Sequence, residues 1–238
     1  MLLYIIRHGI PDYETDTLTR DGKEQAEALS NRLFKCGINK IFSSPLGRAL
    51  ETAIPTSKKL GIKIQILQFA SEDIYWKTLT TQDSYTQELE WGYKNRINFL
   101  GRMDSYKNDN DYRLGFYNDD LAKSSLSFLK KESDAFISSL GYLKNGIGNG
   151  YDVVNDNDEK VAIFCHQSFG LHWISYLLNF PFHVFTASFD ITHTGISVIR
   201  FKPEHNSNIA FPICLCLSDT SHIYCNNLPM KYNEYIDF

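Results

Sequence analysis

The feature that most constrains this chain is a short apolar run, Leu2-Leu3-Tyr4-Ile5-Ile6, that stops abruptly in Arg7-His8-Gly9. Its length and composition predict a buried strand. Such a strand would carry an arginine, a histidine and a flexible glycine to its C-terminal end. That is the edge at which open α/β sheets hold their ligands. The question is whether other reactive side chains reach the same edge.

Two further stretches have the same form. Asn39 to Phe42 predicts a short strand, followed by Ser43-Ser44-Pro45. Pro45 suits the first position of a helix with Ser44 as its cap, which puts Arg48 in the first turn. Pro55 is expected to kink or shorten that helix, and Leu60-Gly61 to close it. Later, Lys160 to Cys165 is a continuous apolar run of the kind found in central strands. It ends in His166-Gln167-Ser168, and Leu171, Ile174 and Leu178 then recur at helical spacing, with Pro181 as the stop. If the three strands are parallel neighbours, Arg7, His8, Arg48 and His166 meet beside two helix N-termini. Free N–H groups and the helix dipole favour anions there. Arginine adds planar, bidentate donors that match phosphate oxygens. The combination describes a pocket for a tetrahedral phosphate.

Between these landmarks, residues 10–18 form a polar loop. Thr19 can cap a helix whose first turn holds Asp21 and Glu24, whose buried face is Ala26, Leu29 and Leu33, and whose end is Gly37. Ile62 to Leu67 predicts a third strand, with Glu72 just beyond it. Residues 75–150 are rich in aromatic side chains, among them Trp76, Trp91, Tyr93 and Phe99, and are expected to be mostly helical near 83–100 and 119–143. These rings are expected to pack in the core and between helices; the rival reading is that some cover the site and set substrate preference. Gly146 to Asp158 should be a flexible loop, 195–201 and 211–217 two late strands, and 219–238 a surface tail or last turn. His172, His183, His193, His205 and His222 are assigned structural or surface roles.

Composition narrows the function. A net charge of −4 argues against a general nucleic-acid surface, so any anion is held by a local cluster. Five cysteines, odd in number and without CxxC spacing, suggest a reduced, cytoplasmic protein. Cys214 and Cys216 would share a strand face but lack a second ligand pair for a metal. No run approaches the roughly 20 apolar residues of a membrane span, and the N-terminal run lacks the basic flank of a signal peptide. No membrane partner is expected, and the oligomeric state is open. The 238 residues fit one domain, 1–238, with an insertion at about 76–158.

The chain resembles the histidine phosphatase superfamily, in the branch of the phosphoglycerate mutases and related phosphatases. The resemblance rests on Arg7-His8-Gly9, on Leu18-Thr19-Arg20-Asp21-Gly22 opening a helix, on Ser43-Ser44-Pro45-Leu46-Gly47-Arg48-Ala49-Leu50-Glu51-Thr52-Ala53, and on the strand that ends at His166. It implies an α/β fold, a three-layer α/β/α sandwich with a mostly parallel central sheet and a helical insertion. It also implies a phosphomonoester hydrolase acting through a phosphohistidine on a small phosphorylated metabolite, with no cofactor and no metal. Under the resemblance His8 is the nucleophile. Arg7, Arg48, protonated His166 and Gln167 hold the phosphoryl group, and Glu72, with Asp73 as its neighbouring alternative, is the acid. Two rival functions are a phosphoglycerate-type mutase and a non-catalytic phospho-ligand sensor. Against the mutase, the segment after Gly9 reads Ile10-Pro11-Asp12-Tyr13-Glu14, with a carboxylate where mutases carry an asparagine.

Overall fold

The computed structural model of the chain describes residues 1–83, 86–96, 120–230 and 232–233. The N-terminal run forms β1 (Leu2–Arg7), and Lys160–Cys165 forms β10 beside it, parallel and in register from Leu2↔Lys160 to Arg7↔Cys165. β4 (Lys40–Ser43) pairs with the other side of β10, and β5 (Ile64–Ile66) with β4, all parallel. β11 (Ile196–Arg200) runs antiparallel to β1, and β13 (Ile213–Asp219) antiparallel to β11. The strand order β13-β11-β1-β10-β4-β5 therefore places the two strands that carry histidines side by side.

Successive β1 side chains point to opposite faces. Leu3 and Ile5 pack with Val161, Ile163, Phe136, Phe169 and Trp173, while Tyr4 and Ile6 pack with Leu29, Leu33, Ile41 and Ala53. Helices accordingly cover both faces. α1 (Arg20–Cys36) and α2 (Gly47–Leu60) supply the second cluster. α4 (Asp120–Ser139) and α5 (Gln167–Leu177) supply the first. Each fully buried leucine or isoleucine contributes about 1.5–3 kcal/mol relative to exposure, which is why these uninterrupted runs take the sheet interior. This is the expected three-layer α/β/α arrangement.

The helix ends follow the local chemistry. The Thr19 side chain accepts from Gly22 N, and Gly37 closes α1 in the left-handed region at φ 70°. The start of α2 differs from expectation. It begins at Gly47, because the distant Asp16 carboxylate accepts from Gly47 N at 2.6 Å. Pro45 lies in the turn before the helix, and Ser44 Oγ accepts from Leu46 N at 3.3 Å. α2 also continues past Pro55 to Leu60.

The loop after Gly9 contains a small ladder, β2 (Pro11–Asp12) with β3 (Thr17–Leu18). Residues 86–95 are not α-helical. After α3 (Asp73–Leu79), β6 (Thr80–Gln82) pairs with β7 (Leu89–Trp91), and Gly92–Lys94 forms one 3-10 turn. The β-branched Thr80-Thr81 and the polar turn that follows favour a hairpin over a helix. Residues 97–100 of that expected helix, with Phe99, lie outside the described residues. Residues 146–158 are not wholly loop, since β9 (Tyr151–Val153) joins β8 (Tyr142–Lys144) to β12 (Ile209–Ala210). Pro181 precedes a further helix, α6 (Phe182–Ser188), and the C-terminal stretch holds α7 (Ser221–Cys225). Among the described residues no helix is long and apolar enough to cross a membrane.

Candidate active site

The register of β1 and β10 puts His8 and His166 one step past paired strand ends. His8 N donates to Cys165 O at 2.9 Å, and the two imidazole centroids lie 5.1 Å apart. Gly9 N donates to Thr52 Oγ1 at 3.0 Å, which ties this turn to α2. It is also wedged against α1. A Cβ on Gly9 would lie 2.7 Å from Gly22 O, and one on Gly22 only 2.2 Å from Ile10 O. Only glycine permits these two backbones to approach so closely.

His8 Nδ1 lies 2.7 Å from Gly9 O. A carbonyl can only accept, so Nδ1 carries the proton and the lone pair of the neutral ring is on Nε2. Burial, and then the charges of His166 and Arg7, hold His8 well below the usual histidine range. The ring is therefore neutral at pH 7, with Nε2 unprotonated.

Arg7, buried at the end of β1, donates through Nη1 to Ile191 O and to Asn233 Oδ1, both at 2.7 Å. Arg48 donates through Nη1 to Asp16 Oδ1 at 2.6 Å and through Nη2 to Glu72 Oε2 at 3.4 Å, and its guanidinium lies 5.4 Å from the Tyr13 ring centroid. The Nε atoms of both arginines are buried with no acceptor among the described residues. Two buried guanidinium donors left over beside a neutral histidine suit an incoming oxyanion.

Glu72 stands between the partners. Its Oε1 accepts from Ser168 N, in the first turn of α5, at 3.1 Å, and its Oε2 lies 3.7 Å from His166 Nδ1. Burial pushes its carboxyl above the usual range, outweighing the opposite pull of Arg48 and Arg7. Asp73, the alternative acid, also lines the cleft but belongs to the first turn of α3. His166 Nε2 lies 2.8 Å from Ser44 Oγ. Burial and then the charges of Arg48 and Arg7 hold His166 well below its usual range. In the unliganded pocket it is thus neutral. A phosphate dianion beside it is the kind of charge that would reverse this.

The cleft over these groups has a volume of about 540 Å³. Arg7, Arg48, Glu72 and Gln167 line it, whereas His8 and His166 are buried behind them. The Gln167 side-chain amide donates to Asp190 Oδ1 at 2.5 Å. Asn233 Nδ2 donates to the same oxygen at 2.6 Å. Five contributors are not legible as site residues in the sequence: Asp16, Tyr13, Asp190, Asn233 and His193. The His193 ring centroid lies 5.6 Å from that of His8, although His193 is among the histidines assigned structural roles. Asn233 belongs to the stretch expected to be a surface tail or last turn. Glu14, whose carboxylate would oppose a phosphate, is exposed and does not line the cleft.

One atom each of His8, Glu72 and His166 lie within 4.8 Å of one another, a spacing that could hold a metal ion. The guanidinium of Arg48 on Glu72 and that of Arg7 nearby oppose a cation there, so the donor set fits an anion better.

Residues 3–98 match the family model described as the histidine phosphatase superfamily, branch 1. Among solved structures, phosphoserine phosphatase from Entamoeba histolytica, in complex with 3-phosphoglyceric acid, is similar with a TM-score of 0.60 at 21% identity, over 93% of this chain and 98% of that one. A mycobacterial glucosyl-3-phosphoglycerate phosphatase is similar with a TM-score of 0.59 at 16% identity, over 91% of this chain and 98% of its own. No curated protein sequence matches the chain significantly. At these identities the structural likeness establishes a shared fold.

Proposed function

We propose that this chain, whose residues 3–98 match the histidine phosphatase superfamily and whose fold is shared with phosphatases, is a phosphomonoester hydrolase working through phospho-His8. The observation that carries the proposal is the pairing of a neutral His8, its lone pair on Nε2, with a buried Glu72 inclined to keep its proton. These are the protonation states that the first step needs.

In that step His8 Nε2 attacks phosphorus in line and forms a P–N bond as the P–O bond to the alcohol breaks. Glu72 gives its proton to the departing oxygen. Arg7 and Arg48 offset the charge on the phosphoryl oxygens, the largest contribution expected in such transfers. Arg48 can do so by exchanging its long 3.4 Å contact with Glu72 for a phosphate oxygen, which also frees the carboxyl. His166 becomes protonated beside the bound dianion and adds to the same stabilisation. Gln167, held by Asp190, presents the N-terminus of α5 to the phosphate. In the second step the Glu72 carboxylate takes a proton from water. The water oxygen attacks phosphorus, the P–N bond breaks, and inorganic phosphate leaves.

Relatives with this fold include enzymes named for phosphoserine and glucosyl-3-phosphoglycerate, so small phosphorylated metabolites are the first candidate substrates. Hydrolysis is favoured over mutase chemistry because, beyond the phosphate end, Lys94 is the single cation lining the cleft among the described residues, against Asp73 and Glu90. A second phosphate would find little to hold it there. We assign no metal to the reaction. The free cysteines fit a reducing compartment such as the cytoplasm.

The test is phosphate release from p-nitrophenyl phosphate by wild type and His8→Ala, with EDTA present. Release by wild type alone is the expected result. Equal release by the variant would remove His8 from the mechanism, and loss of wild-type activity with EDTA would reinstate a metal. Isomerisation of a phosphoglycerate without free phosphate would favour the mutase. Stoichiometric ligand binding with no turnover would favour a sensor.

A further inference from the structure

Resting on the hydrolase reading above, we propose that the substrate carries a planar ring on the alcohol side of its phosphomonoester, seated against Trp76 and Leu89. Trp76 lies one helical turn after Glu72, and its backbone N–H donates to Glu72 O at 2.9 Å. Residues four apart on a helix share a face. The indole therefore stands beside the acid that protonates the leaving oxygen, so it meets the leaving group and not the transferring phosphoryl group. Trp76 is 37% exposed and Leu89 55% exposed, and both line the cleft.

This apolar wall is held in place from behind. Trp76 meets Trp91 edge-on at 4.8 Å and 85°. Trp91 stacks on Tyr93 at 6.2 Å and 10°, and Tyr93 packs on His172 of α5 at 6.1 Å. Trp91 and Tyr93 are buried. A ladder of rings thus runs from the cleft into the core and fixes the exposed indole before any ligand arrives, which lowers the ordering cost of binding. Aromatic pairs gain from edge-to-face and offset contacts beyond the area they bury. The polar rim of Asp73, Glu90 and Lys94 does not form a polyanion site. A cleft of about 540 Å³ is also larger than a serine- or glycerate-sized leaving group requires.

The test compares benzyl phosphate with ethyl phosphate, since both release an alcohol and differ in the ring. The wild type should show about tenfold higher kcat/KM for benzyl phosphate. The ratio should collapse towards one in Trp76→Ala and persist in Trp76→Phe. Leu89→Ala, at an exposed position, serves if Trp76→Ala fails to fold. Benzylphosphonate, which cannot be hydrolysed, should inhibit at about tenfold lower concentration than ethylphosphonate. Hydrolysis of both esters at similar kcat/KM, or a ring preference that survives in Trp76→Ala, would overturn the ring site and leave the phosphatase standing. Tighter binding of benzylphosphonate with hydrolysis of neither ester would support the ring site and overturn the phosphatase.

Discussion

Glu72→Gln separates the two jobs assigned to one carboxyl. The amide has nearly the same shape. Its oxygen can still accept from Ser168 N, at 3.1 Å in the wild type, while its NH2 replaces the oxygen 3.4 Å from Arg48 Nη2 and 3.7 Å from His166 Nδ1. What is lost is a transferable proton, together with the oxygen that accepts from Arg48 Nη2. General acid catalysis is worth about 10²–10⁴-fold, so kcat/KM for an alkyl phosphate should fall by about that factor. For p-nitrophenyl phosphate, whose leaving group departs as a stabilised anion, kcat/KM should fall less than about tenfold. Steady-state kcat should fall for both, because breakdown of phospho-His8 also needs Glu72, now as base. A stopped-flow trace with p-nitrophenyl phosphate should therefore show a burst of nitrophenol close to one equivalent, followed by a slow phase. In the wild type, kcat/KM for the alkyl substrate should decline as pH rises through the raised pKa of Glu72, and the variant should lose that limb. The sign for stability follows from linkage. A carboxyl raised on folding favours the folded state below its unfolded pKa, and that contribution is lost as pH rises through the folded value. Above that folded value the charged Glu72 is a cost, and Glu72→Gln should leave Tm unchanged or higher. Equal losses of kcat/KM on the two substrates would refute Glu72 as the acid, and a large fall in Tm at pH 7 would refute the desolvation reasoning.

Two more substitutions address the scaffold. Asn233→Ala removes one of two acceptors of Arg7 Nη1 and a donor to Asp190. It should raise KM several-fold with little change in Tm, and kinetics and melting curves that showed the reverse would deny Asn233 a positioning role. Gly22→Ala sets a methyl 2.2 Å from Ile10 O. Overpacking of this kind costs about 1–3 kcal/mol, so urea denaturation should show a loss of that size, and an unchanged midpoint would mean the turn after Gly9 can yield.

The central strands and both histidines are legible in the sequence because β1 and β10 are uninterrupted apolar runs whose polar punctuation marks the sheet edge. Arg48 is legible because it follows Ser43-Ser44-Pro45 at a fixed distance, even though the helix begins at Gly47. Asp16 is not. It is one carboxylate in a polar loop, and its meeting with Arg48, 32 residues away, depends on the path of the chain. Asn233 is hidden for the same reason, its partner Arg7 being 226 residues away. The β6–β7 hairpin escapes notice because strands of three residues are too short for alternation to register, and aromatic residues suit a helix or a strand alike. His193 carries no local signal, since nothing in its neighbours' chemistry reveals that its loop folds back over His8.

The position of β1 also fixes when the proposed nucleophile can exist. Both strands that flank it come from the far part of the chain, residues 160–165 and 196–200. β1 is synthesised before either of them and must wait for them before it has a partner, and contacts of such long sequence separation form slowly. Until β10 docks, His8 has no Cys165 carbonyl to hold its backbone and no His166 beside it. A nascent or partly folded chain should carry no trace of phosphotransfer. The appearance of activity during refolding would then time the closure of the sheet's centre, not the collapse of its helices.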